Sequence, residues 1–290
     1  GDRGFRGRSI DLARRIDANG APTNSSVTAI YGLDVNDFLG EEIYVGDLNG
    51  DGQPELILGT LVSNGRNNQF EGAGEAWVIS TREPFAGQMI DLASPTDRAV
   101  VIHVDQAYAK AGDTVEVIDI DQDGYGDLMF GAPTYSVVGY DGVQRSQAGV
   151  LAVIYGDDWP DGLPPNVGGE LLLFDQPGEA RIQYIVAADP NDMMAYHLTA
   201  YDMDGDGLAD VIPNGMGGDG PNNDRIDAGE FYIISGAALL AHGQGGQPQA
   251  TPDATEAAAD MTEAAPEPTA ETVTEAAPDP TLEPTPDVRG

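Results

Sequence analysis

The sequence contains no cysteine and few basic residues. Its 290 residues include 13 Lys and Arg against 49 Asp and Glu, which gives a formal net charge of −36. Disulfide bonds are therefore excluded as a source of stability. The charge also excludes nucleic acid as a partner, because Lys and Arg are needed to neutralise its phosphates. It argues in the same way against binding to anionic membrane surfaces.

Long apolar runs and catalytic motifs are missing as well. No segment approaches the roughly 20 apolar residues of a membrane-spanning helix, so we predict no membrane insertion. The sequence has no Gly-x-Ser-x-Gly, no His-Glu-x-x-His and no phosphate-binding Gly-rich loop with Lys. Its histidines, His103, His197 and His242, have no nucleophile or carboxylate partner by motif. We therefore expect this chain to be non-catalytic.

The sequence does contain one acidic loop in three copies. The copies run from Asp47 to Glu55, from Asp119 to Asp127 and from Asp202 to Asp210. Oxygen-bearing side chains stand at positions 1, 3, 5 and 9, Gly stands at position 6, and position 7 can offer its backbone carbonyl. This spacing suits a hard cation, because the Gly permits a sharp turn and alternate side chains face inward. Three copies in register indicate calcium.

The acidic loop differs from an EF-hand in its second half. An EF-hand needs a bidentate Glu at position 12 followed by a helix, whereas position 12 here is Leu58, Phe130 or Pro213. Short apolar or β-rich runs lie on both sides of each loop, so we predict flanking strands. The alternative is three hydrated hairpin turns without metal. It is disfavoured because so many neighbouring carboxylates would repel one another.

Each acidic loop belongs to a longer repeat. A strand that begins with Gly follows each loop, at Gly74, Gly149 and Gly229, about 27 to 30 residues after the first Asp. Two further strand-like segments precede each loop. The repeat is therefore about four short strands over roughly 70 to 80 residues, which is typical of a β-propeller blade with long loops.

These features resemble the FG-GAP repeats that build the β-propeller of integrin α chains and of many bacterial surface proteins. The resemblance covers about residues 8 to 240 and includes Gly131-Ala132-Pro133; the Phe-Gly half of the motif is degenerate. It implies an all-β fold with β-propeller blades of four antiparallel strands, of which three are visible as part of a larger propeller. It also implies about three Ca²⁺ sites, whose ligands are Asp47, Asn49, Asp51, Gln53 and Glu55 in the first, Asp119, Asp121, Asp123, Tyr125 and Asp127 in the second, and Asp202, Asp204, Asp206, Leu208 and Asp210 in the third. Gln53, Tyr125 and Leu208 would contribute backbone carbonyls.

The resemblance also divides the chain into segments. We expect residues 1–32 to be an outer strand or link from a preceding blade, because the first residues resemble the links between repeats and the chain starts at Gly1. The three blades would be residues 33–88, 89–163 and 164–242. Residues 243–290, rich in Pro, Thr, Ala and Glu, are expected to be a disordered linker or stalk.

Three functions remain open at this point. The first is a calcium-binding module for adhesion or surface structure, outside the cell where calcium is abundant. Its partner would be a protein or carbohydrate ligand bound by the long loops 61–73, 133–147 and 213–228. The second is the propeller part of a secreted hydrolase or lyase with catalytic residues elsewhere. The third is a self-assembling coat or filament subunit that associates through open blade edges. Trp159 is expected either at a seam between blades or in recognition.

Overall fold

The computed structural model describes residues 11–94, 96–166, 168–174, 181–242 and 249–250. Nearly all of its regular structure is β, which confirms the all-β class. One helix, α1 (Gly236–His242), and three short 3₁₀ turns, Leu12–Arg14, Arg66–Asn68 and Pro160–Gly162, complete it. The strands are β1 (Ala29–Tyr31), β2 (Glu42–Gly46), β3 (Glu55–Thr60), β4 (Glu75–Ile79), β5 (Met89–Asp91), β6 (Ala99–His103), β7 (Val115–Ile118), β8 (Asp127–Ala132), β9 (Val137–Val138), β10 (Gln144–Arg145), β11 (Val150–Ile154), β12 (Glu170–Leu172), β13 (Ile182–Val186), β14 (Met194–Tyr201), β15 (Asp210–Gly215), β16 (Glu230–Phe231) and β17 (Gln249–Ala250).

Three antiparallel sheets follow one another along the chain. The first has the order β2-β3-β4-β6 and the second β7-β8-β11-β13. Both match the expected meander of four antiparallel strands, the arrangement of propeller blades. The third sheet, β14-β15-β16, has three strands among the described residues. In addition, β12 lies parallel to β6 at the outer edge of the first sheet, and β1 pairs with β5 in a separate parallel pair.

The outer strands divide the chain differently from the expected segments. The boundaries at residues 89 and 164 assign β6 and β13 to the second and third units. In the structure β6 pairs with β4, and β13 pairs with β11, so each belongs to the preceding sheet. Each provides the fourth strand of that sheet. The chain then continues into the first strand of the next sheet, from β6 to β7 and from β13 to β14. Consecutive sheets are therefore linked through these strands.

The expected tail falls mostly outside the described residues, as do residues 1–10 of the expected first link. Of the tail, the structure describes β17, which pairs antiparallel with β9 in a small sheet that also contains β10. This pairing places the start of the segment beside the long loop of the second repeat.

The core lies between the first and second sheets and extends to the third. Strands β4, β6, β8 and β11 are buried along their whole length, so their side chains are apolar on both faces except at the strand ends, where Glu75, His103 and Asp127 are buried. This explains why they read as continuous apolar runs in the sequence. Trp159 is buried in the same core, as the seam expectation requires. Between the first and second sheets Gly46 faces Val117: a Cβ on Gly46 would lie 2.3 Å from Val117 Cγ1, so glycine is needed for this approach.

A backbone ladder joins neighbouring repeats at the sheet ends opposite the acidic loops. Tyr108 and Lys110 both have positive φ, at 59° and 53°. Their N–H groups, and that of Ala111, donate to the carbonyls of Glu71, Gly72 and Ala73 in the preceding repeat, at 2.7, 3.3 and 2.7 Å. The next junction repeats the pattern, with Asn191, Met193 and Met194 donating to Ser146, Gln147 and Ala148 at 2.9, 3.2 and 2.9 Å. We call this pattern the junction ladder.

Candidate metal centre

The acidic loops occupy equivalent places in the three sheets. Each connects the first strand of a sheet to the second: β2 to β3, β7 to β8, and β14 to β15. In the second loop both carboxylate oxygens of Asp119 accept backbone hydrogen bonds, from Asp123 N at 3.1 Å and Gly124 N at 3.0 Å. Asp47 and Asp202 do the same in the other two loops. The first Asp therefore fixes the turn around itself.

The second loop brings three predicted ligands together. One carboxylate oxygen from each of Asp119, Asp121 and Asp127 lies within 4.8 Å of the others. Asp121 is nine-tenths buried, and its Oδ1 has no hydrogen-bond partner among the described residues. A buried, unpaired carboxylate oxygen is costly unless a cation neutralises it. The donor set, made only of oxygen atoms, fits a hard divalent cation.

The third loop has the same arrangement. Oxygens of Asp202, Asp204 and Asp210 also lie within 4.8 Å of one another. Asp204 and Asp206 each accept a backbone N–H two residues further along the chain, at 3.0 and 2.8 Å. These short local bonds hold the acidic side chains on the inside of the turn. The third loop therefore supports a second cation site of the same type.

The first loop is less acidic, because Asn49 replaces Asp at position 3. The Asn49 amide donates to Asp51 Oδ2 at 3.4 Å and to the carbonyl of Trp159 at 3.2 Å. Three carboxylates do not converge here as they do in the other two loops. Within the described residues the geometry therefore favours two of the three predicted sites.

The acids at position 9 have a structural role that sequence reasoning missed. Glu55, Asp127 and Asp210 are all buried, and each accepts the N–H of position 2 of its own loop, from Leu48 at 3.0 Å, Ile120 at 2.7 Å and Met203 at 2.8 Å. Asp127 and Asp210 also accept a glycine N–H beyond the third strand, from Gly156 at 2.9 Å and Gly236 at 3.0 Å. Burial raises the pKa of Glu55 and of Asp127 to about 7. Repulsion from the neighbouring loop carboxylates is a smaller contribution to this rise in both pKa values, and a bound cation would oppose it.

The residues at position 7 of the acidic loops hold the side chains of position 5. The backbone N–H groups of Gln53, Tyr125 and Leu208 donate to the side chains of position 5, at 2.7, 3.0 and 2.8 Å. The use of their carbonyls as ligands stays a prediction.

Arg181, which no motif identified, pairs with Asp121 Oδ2, and its guanidinium lies 4.0 Å from the centre of the Tyr155 ring. It fixes one oxygen of Asp121, and the other has no hydrogen-bond partner among the described residues.

Neighbouring acidic loops also contact each other. The N–H of Gly126 donates to the carbonyl of Asp47 at 2.8 Å, and the side chain of Gln122 donates to the carbonyl of Gly207. A Cβ on Gly126 would lie 2.6 Å from that same Asp47 oxygen. The three loops therefore form a continuous row along one end of the sheets.

One of the three histidines, His103, is the last residue of β6. It is buried there, and burial lowers its pKa. Its Nε2 lies 3.8 Å from a carboxylate oxygen of Glu170.

No described helix is long and apolar enough to cross a membrane.

The sequence matches no protein-family model. It is similar to parts of phosphatidylinositol-glycan-specific phospholipase D from three mammals. The Bos taurus protein is 38% identical over 85 residues, which is 29% of this chain and 9% of that protein. The Rattus norvegicus protein is 36% identical over 104 residues, 36% of this chain and 11% of that protein. The Mus musculus protein is 47% identical over 58 residues, 20% and 6% of the two chains. The matched region spans about a tenth or less of the length of these relatives.

Proposed function

We propose that this chain is a calcium-binding β-propeller segment of the FG-GAP type. The observation that carries the proposal is the buried Oδ1 of Asp121, which has no partner among the described residues. It lies in a loop where one carboxylate oxygen of Asp121 is within 4.8 Å of oxygens of Asp119 and Asp127. Calcium accepts six to eight oxygen ligands in flexible geometry. Carboxylates and carbonyls of one short loop can supply most of them.

The proposed role is structural support for a binding surface outside the cell. Loops of this kind are most useful where calcium is millimolar. The loops 61–73, 133–147 and 213–228 lead away from the opposite sheet ends and are the proposed contacts for a protein or carbohydrate ligand. The first of these contributes to a cleft of about 500 Å³ that is lined by residues including Phe38, Asn64 and Tyr108.

A second candidate is the propeller part of a hydrolase. The observation that favours it is the similarity to phosphatidylinositol-glycan-specific phospholipase D. In that case this chain would position or stabilise catalytic residues encoded elsewhere. Sequencing the gene on both sides of this region separates the two candidates: a catalytic domain supports the hydrolase, and further repeats support adhesion.

Titration calorimetry with CaCl₂ tests the metal proposal. The metal-free chain should bind at least two Ca²⁺ ions, and the double variant Asp121→Asn/Asp204→Asn should lose the heat of these sites. Asp97→Asn is the matched control, because its exposed carboxylate contacts only Arg82 on the surface. An unchanged titration in the double variant, or no binding to the parent chain, would overturn the proposal.

A further inference from the structure

The three sheets form a row, and its N-terminal and C-terminal ends carry complementary halves of one junction. At the N-terminal end, β1 holds the position of a fourth strand. Tyr31 in β1 lies 16 residues before the first Asp of the following acidic loop, and His103 in β6 and Val186 in β13 lie at the same distance from theirs. It pairs in parallel with β5, just as β6 pairs with β12. Unlike β6 and β13, it has no antiparallel partner among the described residues.

The other end lacks what the first end carries. Strand β16 is the edge of the third sheet, in the place that β4 and β11 hold in the first two sheets. In those sheets the next neighbour is a fourth strand, and the described residues contain none beside β16. Phe231 in β16 is 68% exposed, which is unusual for a large aromatic side chain in a sheet.

The junction ladder is likewise divided between the two ends. Asn36 and Phe38 have positive φ, at 70° and 53°, and stand where Tyr108 and Lys110 stand in the next repeat. Their N–H groups donate to no carbonyl among the described residues. At the far end, the carbonyls of Ile226, Asp227 and Ala228 correspond to the ladder acceptors Glu71, Gly72 and Ala73, and they too have no described donor.

A glycine at the far end supports this correspondence. A Cβ on Gly74 or Gly149 would lie 2.2 or 2.3 Å from the backbone of the next repeat, at Ala111 or Met194. Gly229 holds the same position, yet its Cβ would meet nothing closer than 3.6 Å. No described residue therefore fills the space that the next repeat occupies at the first two junctions.

Apolar side chains flank both halves. Val35 is 87% and Phe38 68% exposed beside the free donors, and Ile226 is 81% exposed beside the free acceptors. Exposed apolar residues next to unpaired backbone groups are typical of a surface that another chain covers. Because both halves occur in one chain, the partner with matching chemistry is a second copy.

We propose that β1 of one copy completes the third sheet of a second copy as its fourth strand, and that two copies joined in this way at both ends close a ring of six sheets. The existing β4–β6 register places Tyr31 opposite Glu230, Ile30 opposite Phe231, and Ala29 opposite Tyr232. Six sheets lie within the four to eight blades that close a propeller. Each junction joins two different surfaces, one from each copy. The two junctions of the dimer are related by a two-fold axis, so the ring is closed.

Light scattering on the size-separated 290-residue chain tests the association. The buffer contains millimolar CaCl₂, because Ca²⁺ bound to the acidic loops reduces the repulsion between two chains that each have a formal net charge of −36. The expected mass is twice 30.4 kDa. Phe231→Asp should give a folded monomer, whereas Val143→Asp, at an exposed position in the second repeat, should stay a dimer. A monomeric parent chain, as expected if repeats of a longer protein fill the position, would overturn the proposal.

Disulfide cross-linking tests the register, because the chain has no cysteine of its own. Chains with Ile30→Cys are mixed with chains carrying Phe231→Cys and oxidised. They should form the mixed disulfide far faster than Ile30→Cys mixed with Val143→Cys, since residues that face each other in paired strands meet the required geometry. Equal rates in the two mixtures would contradict the proposed strand pairing. Repeating both measurements in chelator separates a failure of this junction from a failure of calcium binding.

Discussion

Asp127 accepts a hydrogen bond from the backbone N–H of Gly156 at 2.9 Å, across 29 residues of chain. Its other oxygen accepts from Ile120 at 2.7 Å. The carboxylate therefore ties the second acidic loop to the end of the third strand of its sheet. Asp210 makes the equivalent bond to Gly236. The last acid of the loop serves the fold as well as the proposed metal site.

Asp127→Ala should destabilise the protein even without calcium. The change leaves two buried N–H groups unpaired, at about 1–3 kcal/mol each, so the expected loss is roughly 2–6 kcal/mol. Urea unfolding in chelator measures it. Asp123→Ala is the control, because Asp123 accepts only the local N–H of Tyr125. Its loss should be about 0.5–1.5 kcal/mol, the ordinary net value of such a bond. Equal losses for the two variants would contradict the structural role of Asp127.

Removing calcium should lower the melting temperature. A ligand that binds only the folded state, and is present at 100 times its dissociation constant, adds about 2.7 kcal/mol per site to the free energy of unfolding. Thermal unfolding followed by circular dichroism, in millimolar CaCl₂ and then in excess chelator, measures the difference. Magnesium at the same concentration should restore little of it, because Mg²⁺ demands near-octahedral geometry and keeps its own waters. A melt that chelator does not change would speak against both sites.

Gly46→Ala should destabilise the contact between the first and second sheets. The new Cβ would lie 2.3 Å from Val117 Cγ1, so one inner strand must move, at a typical cost of about 1–3 kcal/mol. The double variant Gly46→Ala/Val117→Ala should recover part of this loss, because it removes the clashing methyl groups. Urea midpoints of the parent, both single variants and the double variant measure the coupling. Purely additive losses would show that the two residues do not clash.

Stability should depend on the charge of Glu75. This side chain is buried and accepts from Trp77 Nε1 at 3.1 Å. Burial, together with Asp37 and Asp34, raises its pKa from 4.5 to about 7. Because the folded state favours the protonated form, its contribution is fully present below pH 4.5 and is lost as pH rises through about 7.

Glu75→Gln should therefore stabilise the protein above pH 7 and change little near pH 4. The amide keeps an acceptor for Trp77 and carries no charge, so the gain at pH 8 approaches roughly 3 kcal/mol, or 1.36 kcal/mol per pKa unit. Urea unfolding at both pH values, in chelator to exclude metal effects, measures it. Glu83→Gln, at an exposed position, is the control and should show no such pH dependence. The same gain at both pH values would show that charge is not the cause.

The fold class and the acidic loops could be predicted because their signals are local. An oxygen at every second position with Gly at position 6 defines the turn, and apolar runs on both sides define strands. The partner of an outer strand is not a local property. Strand β6 follows β5 closely in sequence, yet it pairs with β4 across an excursion in which β5 joins a different strand.

The junction ladder could not be predicted for a related reason. Its left-handed positions hold Asn36, Tyr108 and Asn191 in the three repeats, and only Asn favours that conformation. The ladder uses backbone groups alone, so its side chains vary: residues 34–37 and 189–192 share Asp-x-Asn-Asp, whereas the second repeat has Gln106-Ala107-Tyr108-Ala109. Arg181 was missed because nothing in the sequence links it to Asp121, 60 residues earlier.

Each junction between repeats is held at two ends by different chemistry. The acidic loops contact one another at one end, where proposed calcium sites lie, and the junction ladder holds the other end by backbone bonds that need no ion. A fall in calcium concentration should then loosen only the acidic loops, because the junction ladder and the apolar core between the sheets need no ion. The loops beyond the ladder would keep their spacing whether or not calcium is bound.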